Sequence, residues 1–98
     1  MTETAARIPR ALLEAAMLEH QSRSYQVLAA AIGQVHVRSE RGADGRDYQI
    51  EIEAEWDDQP GGAIRVVGAI DDGSFRDFLP ISAEFIVAPD GSLFRPAR

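Results

Sequence analysis

The amino-acid sequence predicts an α+β domain, in which an N-terminal helical segment packs on one face of a mainly antiparallel β-meander of about five strands. Apolar residues recur at helical spacing in the first third of the chain, and apolar and polar residues alternate strictly over residues 47–57. Turn sequences rich in aspartate and glycine separate the later apolar segments. The chain has 98 residues, so we expect a single compact domain over 1–98 with loose tails at 1–7 and 96–98.

Two stretches carry the helical pattern. The first predicts a helix over about 9–20 with Pro9 in its first turn, and the pattern resumes over 25–32. The polar stretch between them leaves two alternatives open. Either one kinked helix crosses it, or Ser22 or Ser24 caps a second helix.

The first predicted strand begins near residue 35, where Val35 and Val37 alternate with polar side chains. We interpret His36 and Arg38 as the polar side of this strand. If the strand pairs with the next one, these two side chains lie across from an acidic stripe and compensate its charge.

The most regular pattern in the chain covers residues 47–57. Even positions are apolar or aromatic and odd positions are polar, which predicts a strand with one buried face and one acidic, exposed face. Trp56 points to the buried side in this interpretation, where it serves as a core anchor. The acidic side carries Glu51, Glu53, Glu55 and Asp57.

The turn that follows predicts the register of the next strand, residues 63–71. If residue 57 lies opposite residue 63, Trp56 faces Ile64 and Ile50 faces Ile70, so the apolar sides of an antiparallel hairpin match. On the other side, Glu55 then lies opposite Arg65 as an oppositely charged pair.

The fourth strand is less well determined. A two-residue Asp72-Gly73 loop pairs Ile70 with Phe75, whereas a three-residue loop turns Phe78 inward, and both alternatives stay open. Pro80 ends this strand. A further strand is predicted over 84–88, followed by a Pro89-Asp90-Gly91 turn and a short last strand at 92–95.

Composition excludes several kinds of chemistry. The chain has no cysteine and all ten of its basic residues are arginine, which excludes disulfides, thiolate ligands, cysteine nucleophiles and lysine Schiff bases. Two histidines are few for a zinc site, and the turn aspartates lack the spacing of a calcium loop. There is no Gly-x-Ser-x-Gly or glycine-rich phosphate motif. The sequence therefore favours a non-enzymatic protein without a metal or cofactor.

Charge and hydropathy bound the kind of partner. The net charge is −6, and residues 47–98 carry eleven acidic side chains against four arginines, which disfavours nucleic acid and favours a basic partner surface. No apolar stretch approaches the roughly 18 residues of a membrane span, and the N-terminal segment lacks the apolar region of a signal peptide. We therefore expect a cytoplasmic protein that binds no membrane.

Apolar side chains beside the acidic stripe suggest that this side of the sheet is a contact surface. The leading hypothesis is a protein–protein interaction module, either a homodimer or a regulatory or neutralising partner of a basic protein. The residues proposed for this surface are Glu51, Glu53, Glu55, Arg65, Val67 and Phe78.

The alternative is a small-ligand-binding domain or minor enzyme. Its site would be a cleft between the helices and the sheet, near Trp56, Arg76 and Asp77.

Overall fold

The computed structural model of the protein describes residues 3–72 and 81–94. These residues form two helices and one open sheet of five strands, which confirms the predicted α+β class. The strands lie in the sheet in chain order, and every neighbouring pair is antiparallel, so the sheet is a meander.

The helical segment consists of two helices, α1 (Glu3–Gln21) and α2 (Tyr25–Ala30). Ser24 caps α2, and its hydroxyl accepts a hydrogen bond from the Val27 amide, which decides between the two alternatives. Helix α1 begins six residues before the predicted start, so that Pro9 lies inside the helix rather than in its first turn. The residues before Pro9 include two alanines, a glutamate and an arginine, which are strong helix formers.

The strands are β1 (Val35–Arg41), β2 (Asp47–Trp56), β3 (Ile64–Asp71), β4 (Ile81–Val87) and β5 (Leu93–Phe94). The register between β2 and β3 is the predicted one, with Trp56 opposite Ile64 and Ile50 opposite Ile70. A turn at Ala88–Ser92, closed by two backbone hydrogen bonds, connects β4 to β5.

Of the two alternatives for the fourth strand, the one that pairs Ile70 with Phe75 is wrong, because Ile70 lies opposite Ile81 at the start of β4. The Asp72-Gly73 sequence predicts a turn after β3, but it carries no information about which later residue pairs with Ile70. The alternating apolar residues of β4 continue the buried face of β3, and this long-range match determines the pairing. Phe75 and Phe78 lie outside the described residues.

The core lies between the helices and one face of the sheet. Helix α1 packs on β3 and β4, and α2 packs on β2 and β3. Gly68 in β3 marks the closest approach, because a Cβ atom there would lie 2.6 Å from Sδ of Met17 on α1. The largest fully buried side chains are Phe85, Leu13, Ile50, Ile64, Ile70, Val66 and Val87.

The two faces of β1 are the reverse of the prediction. Val35 and Val37 lie opposite Glu53 and Glu51, on the side of the sheet away from the helices. His36 and Arg38 lie on the helix side instead. The reason is polar contact with the end of α1: Arg38 binds Glu19 at 3.0 Å, and the ring of His36 lies against that of His20.

Candidate functional site

The first candidate site is the side of the sheet opposite the helices, which we call the outer face. Because paired residues of antiparallel strands share a side, the register assigns its members directly. Its central side chains are Val35, Val37, Glu51, Glu53, Glu55, Arg65, Val67, Ala69, Glu84 and Ile86.

The three glutamates of β2 form the acidic stripe of this outer face. All three are exposed, and none takes part in an ion pair among the described residues. Along an extended strand, alternate residues on one side lie about 7 Å apart. The stripe therefore presents three evenly spaced carboxylates, Glu51, Glu53 and Glu55, that no neighbouring cation neutralises.

Apolar side chains flank the stripe on both sides. In register order, Glu53 lies between Val35 and Val67, and Glu51 lies between Val37 and Ala69. Val35 is 51% exposed and Val37 is 49% exposed, whereas Val67 and Ala69 are half-buried. The outer face therefore combines negative charge with apolar contact area.

Arg65 lies opposite Glu55 as predicted, but it forms its ion pairs with other carboxylates. The guanidinium lies between two other carboxylates, at 2.6 Å from Asp57 and 2.5 Å from Glu84. Hydrogen bonds to Glu84 and Asp57 raise the pKa of the Arg65 guanidinium. The predicted Glu55–Arg65 ion pair is therefore absent, which leaves the Glu55 carboxylate without a cation among the described residues.

The second candidate site is a cleft of about 170 Å³ between the end of α1, α2 and the first residues of β1. We call it the histidine cleft, because His20 and His36 line it together with Arg23 and Gln34. Its apolar wall includes Val27 and Leu28 of α2 and Ile52 and Ala54 of β2.

His20 is the most deeply placed polar group of the histidine cleft, with only 5% of its surface exposed. Its Nδ1 lies 3.2 Å from the Ala16 carbonyl oxygen, and its ring centroid is 5.6 Å from that of His36. Burial lowers the pKa of the His20 imidazole, with a smaller contribution from the Arg23 charge. We therefore expect a neutral ring that donates from Nδ1 to the Ala16 carbonyl.

Sequence reasoning did not find the histidine cleft. It placed His20 in the helical half and His36 on the polar side of β1, with no signal that the two rings meet. The contact depends on where α1 crosses β1 and on the reversed faces of that strand. Helical spacing alone does place Ala16, Met17 and His20 on one side of α1, which would have indicated that His20 is buried.

The residues proposed for the alternative site near Trp56 are only partly described. Trp56 is half-buried and packs against the core, and it does not line the histidine cleft. Arg76 and Asp77 lie outside the described residues, so the alternative site stays a prediction.

Within residues 3–72 and 81–94, no three histidine, aspartate or glutamate side chains gather into a group that could hold a metal ion. Over the same described ranges, neither helix combines the length and apolar character needed to cross a bilayer. Comparison of the chain with known protein families, curated proteins and solved structures found no match.

Proposed function

We propose that this protein is a binding module whose outer face docks a protein partner with a basic, partly apolar surface. The observation that carries this proposal is the stripe of unpaired carboxylates at Glu51, Glu53 and Glu55, flanked by the exposed valines of β1. Exposed apolar area bordered by polar side chains is typical of a surface that another molecule covers.

The charge of the outer face favours a basic partner over a second copy of the chain. A symmetric homodimer through the outer face would bring two acidic stripes together, and like charges at short distance oppose association. Among the described residues, the strand cations on this side of the sheet are Arg65, which already binds Asp57 and Glu84, and Arg41, which binds Asp47. A partner that supplies arginine or lysine side chains satisfies the stripe without this repulsion.

The spacing of the stripe suggests a defined probe. A peptide that alternates arginine and valine presents cations about 7 Å apart in an extended conformation, which matches alternate residues of β2. We expect this peptide to bind the full chain at low salt, with an affinity that falls as ionic strength rises because salt screens exposed charges. Isothermal titration calorimetry or fluorescence anisotropy with a labelled peptide measures this.

Two charge-matched variants test whether the stripe itself is responsible. Glu51→Gln/Glu53→Gln removes two carboxylates from the outer face, and Glu14→Gln/Asp58→Asn removes two exposed carboxylates elsewhere. Both variants change the net charge by the same amount. We expect the first to weaken peptide binding about tenfold and the second to change it little, because close ion pairs act locally.

A third variant tests the apolar part of the surface. Val35→Ser/Val37→Ser alters side chains that are half exposed, so the fold is expected to persist while the peptide loses apolar contact.

Equal losses of peptide affinity in the two charge-matched variants would mean a general attraction to an acidic protein and would overturn the proposal. The proposal would also be overturned if sedimentation showed that the wild type is a dimer and that Glu51→Gln/Glu53→Gln makes this dimer more stable. The outer face would then bind a second copy of the chain.

A further inference from the structure

The polar side chains that line the histidine cleft are positively charged or neutral. Arg23, His20 and His36 line it, and no aspartate or glutamate does. The Arg23 guanidinium makes no ion pair with any described residue. The nearest carboxylate along the chain, Glu19, binds Arg38 instead. An otherwise acidic protein therefore has a local site suited to an anion.

The remainder of the cleft is apolar and has a defined size. Leu28 and Ile52 are both about 2% exposed, and they form the wall of a space of about 170 Å³. A cavity of about 150 Å³ is large enough to bind benzene. The histidine cleft therefore has room for a ligand with one ring or a short branched chain.

His20 supplies a hydrogen-bonding atom at the same place. Its Nδ1 is used by the Ala16 carbonyl, while Nε2 has no hydrogen-bond partner among the described residues. The His20 residue is 95% buried, yet Nε2 is not among the enclosed side-chain atoms that lack a partner, so this nitrogen is reached from the cleft, where a ligand or a water molecule can bind it.

From these three observations we infer that the histidine cleft binds a small organic carboxylate whose apolar body is about as large as a benzene ring. Arg23 binds the carboxylate, since a guanidinium donates two parallel hydrogen bonds to that group. The apolar body packs against Leu28 and Ile52. The histidine cleft lies on the helix side of the sheet and shares only Val35, at the start of β1, with the outer face, so the inference does not rest on the acidic stripe.

Benzoate is the probe that tests the inference, with benzamide as a neutral control of the same shape. In a titration followed by amide chemical shifts, we expect benzoate to saturate with a Kd on the order of 1 mM, as suits a ligand of this size. The shifts should be confined to the residues around the cleft, at the end of α1, in α2, at the start of β1 and at Ile52 and Ala54 of β2. Benzamide should bind at least about tenfold more weakly, because it lacks the charge that Arg23 recognises.

Arg23→Gln should weaken benzoate about tenfold and leave benzamide unchanged, whereas Arg10→Gln, at an exposed position of α1 outside the cleft, should change neither. Ala31→Leu should block both ligands by filling the cleft. Equal affinity for benzoate and benzamide, shifts elsewhere in the protein, or binding that does not depend on Arg23 would overturn the inference. Dispersed amide spectra of each variant establish that it is folded.

Discussion

The hydroxyl of Tyr48 donates a 2.7 Å hydrogen bond to Oδ2 of Asp44 and so connects the start of β2 to the loop that precedes this strand. Tyr48 is 4% exposed, and Asp44 also accepts a hydrogen bond from the Arg46 amide. Burial and the Asp44 carboxylate raise the pKa of Tyr48 to about 12, and the Tyr48 hydroxyl holds the pKa of Asp44 below its usual value.

We expect Tyr48→Phe to lower the free energy of unfolding by about 1 kcal/mol, the net value of one hydrogen bond. Because the pKa of Tyr48 is higher in the folded state than the ordinary tyrosine value of 10.0, stability is retained below pH 10.0 and lost as pH rises toward about 12. Urea titrations at several alkaline pH values measure this loss, which Tyr48→Phe should reduce. Tyr25→Phe is the matched control: it loses a hydrogen bond to Gly62 but should keep the alkaline dependence of the wild type.

The β2–β3 hairpin shows what local sequence could predict. Strict alternation over β2 and an unambiguous turn at 57–63 together left one register that matched the apolar sides, and the structure has it. By contrast, β1 is an edge strand whose alternation is short. Local pattern could not reveal that Arg38 and His36 bind the end of α1, and these contacts decide which side of β1 faces the helices.

The two candidate sites differ in the same way. The outer-face positions of Glu51, Glu53 and Glu55 follow from the period of one strand, and they lie where the sequence placed them. The histidine cleft needs α1, α2 and β1 in their final arrangement, so no local signal defines it. The ion pair of Arg65 with Glu84 was also unpredictable, because Glu84 reaches Arg65 only through the long-range pairing of β3 with β4.

Gly68→Ala tests the close packing of α1 on β3. The added methyl group would lie 2.6 Å from Sδ of Met17 and 3.1 Å from Cδ1 of Leu13, so one of these side chains must move. We expect a loss of about 1 kcal/mol in the free energy of unfolding, at the low end for overpacking because the Met17 side chain is flexible. In a Met17→Ala background the same substitution should cost less, and equal costs in chemical denaturation would contradict the proposed contact.

Ser24→Ala tests whether α2 depends on its cap. The Ser24 hydroxyl accepts a hydrogen bond from the Val27 amide, and α2 has only six residues, so few other interactions within the helix stabilise it. We expect a loss of about 1 kcal/mol in the free energy of unfolding. Ser22→Ala is the control, because the Ser22 hydroxyl donates to the Glu19 carbonyl and caps no helix start. A comparable loss in both variants, measured by thermal or urea denaturation, would argue against a specific capping role.

The His20 ring should make folding sensitive to mild acid. Burial is the main cause that lowers its pKa in the folded state, Arg23 and His36 add repulsion, and the Ala16 carbonyl and Glu19 partly oppose the shift. The unfolded chain therefore binds this proton more readily, so stability falls as pH decreases below 6.5, the ordinary pKa of histidine. This pH window lies above 4.5, the ordinary pKa of glutamate, which separates the effect from carboxylate titration.

Urea titrations between pH 7 and pH 5 measure that loss of stability. His20→Gln should make the free energy of unfolding less dependent on pH in this range. His36→Gln, at an exposed position, is the control and should keep most of the dependence. Because His20→Gln alters a buried residue, a second measurement on the wild type is needed. The proton on Cε1 of each histidine can be followed by NMR against pH. We expect the His20 signal to titrate below 6.5, the ordinary pKa of histidine, since the protonated ring is the less favourable form in the fold. A His20 titration at or above that value would mean that the ring is hydrated rather than enclosed between α1 and β1.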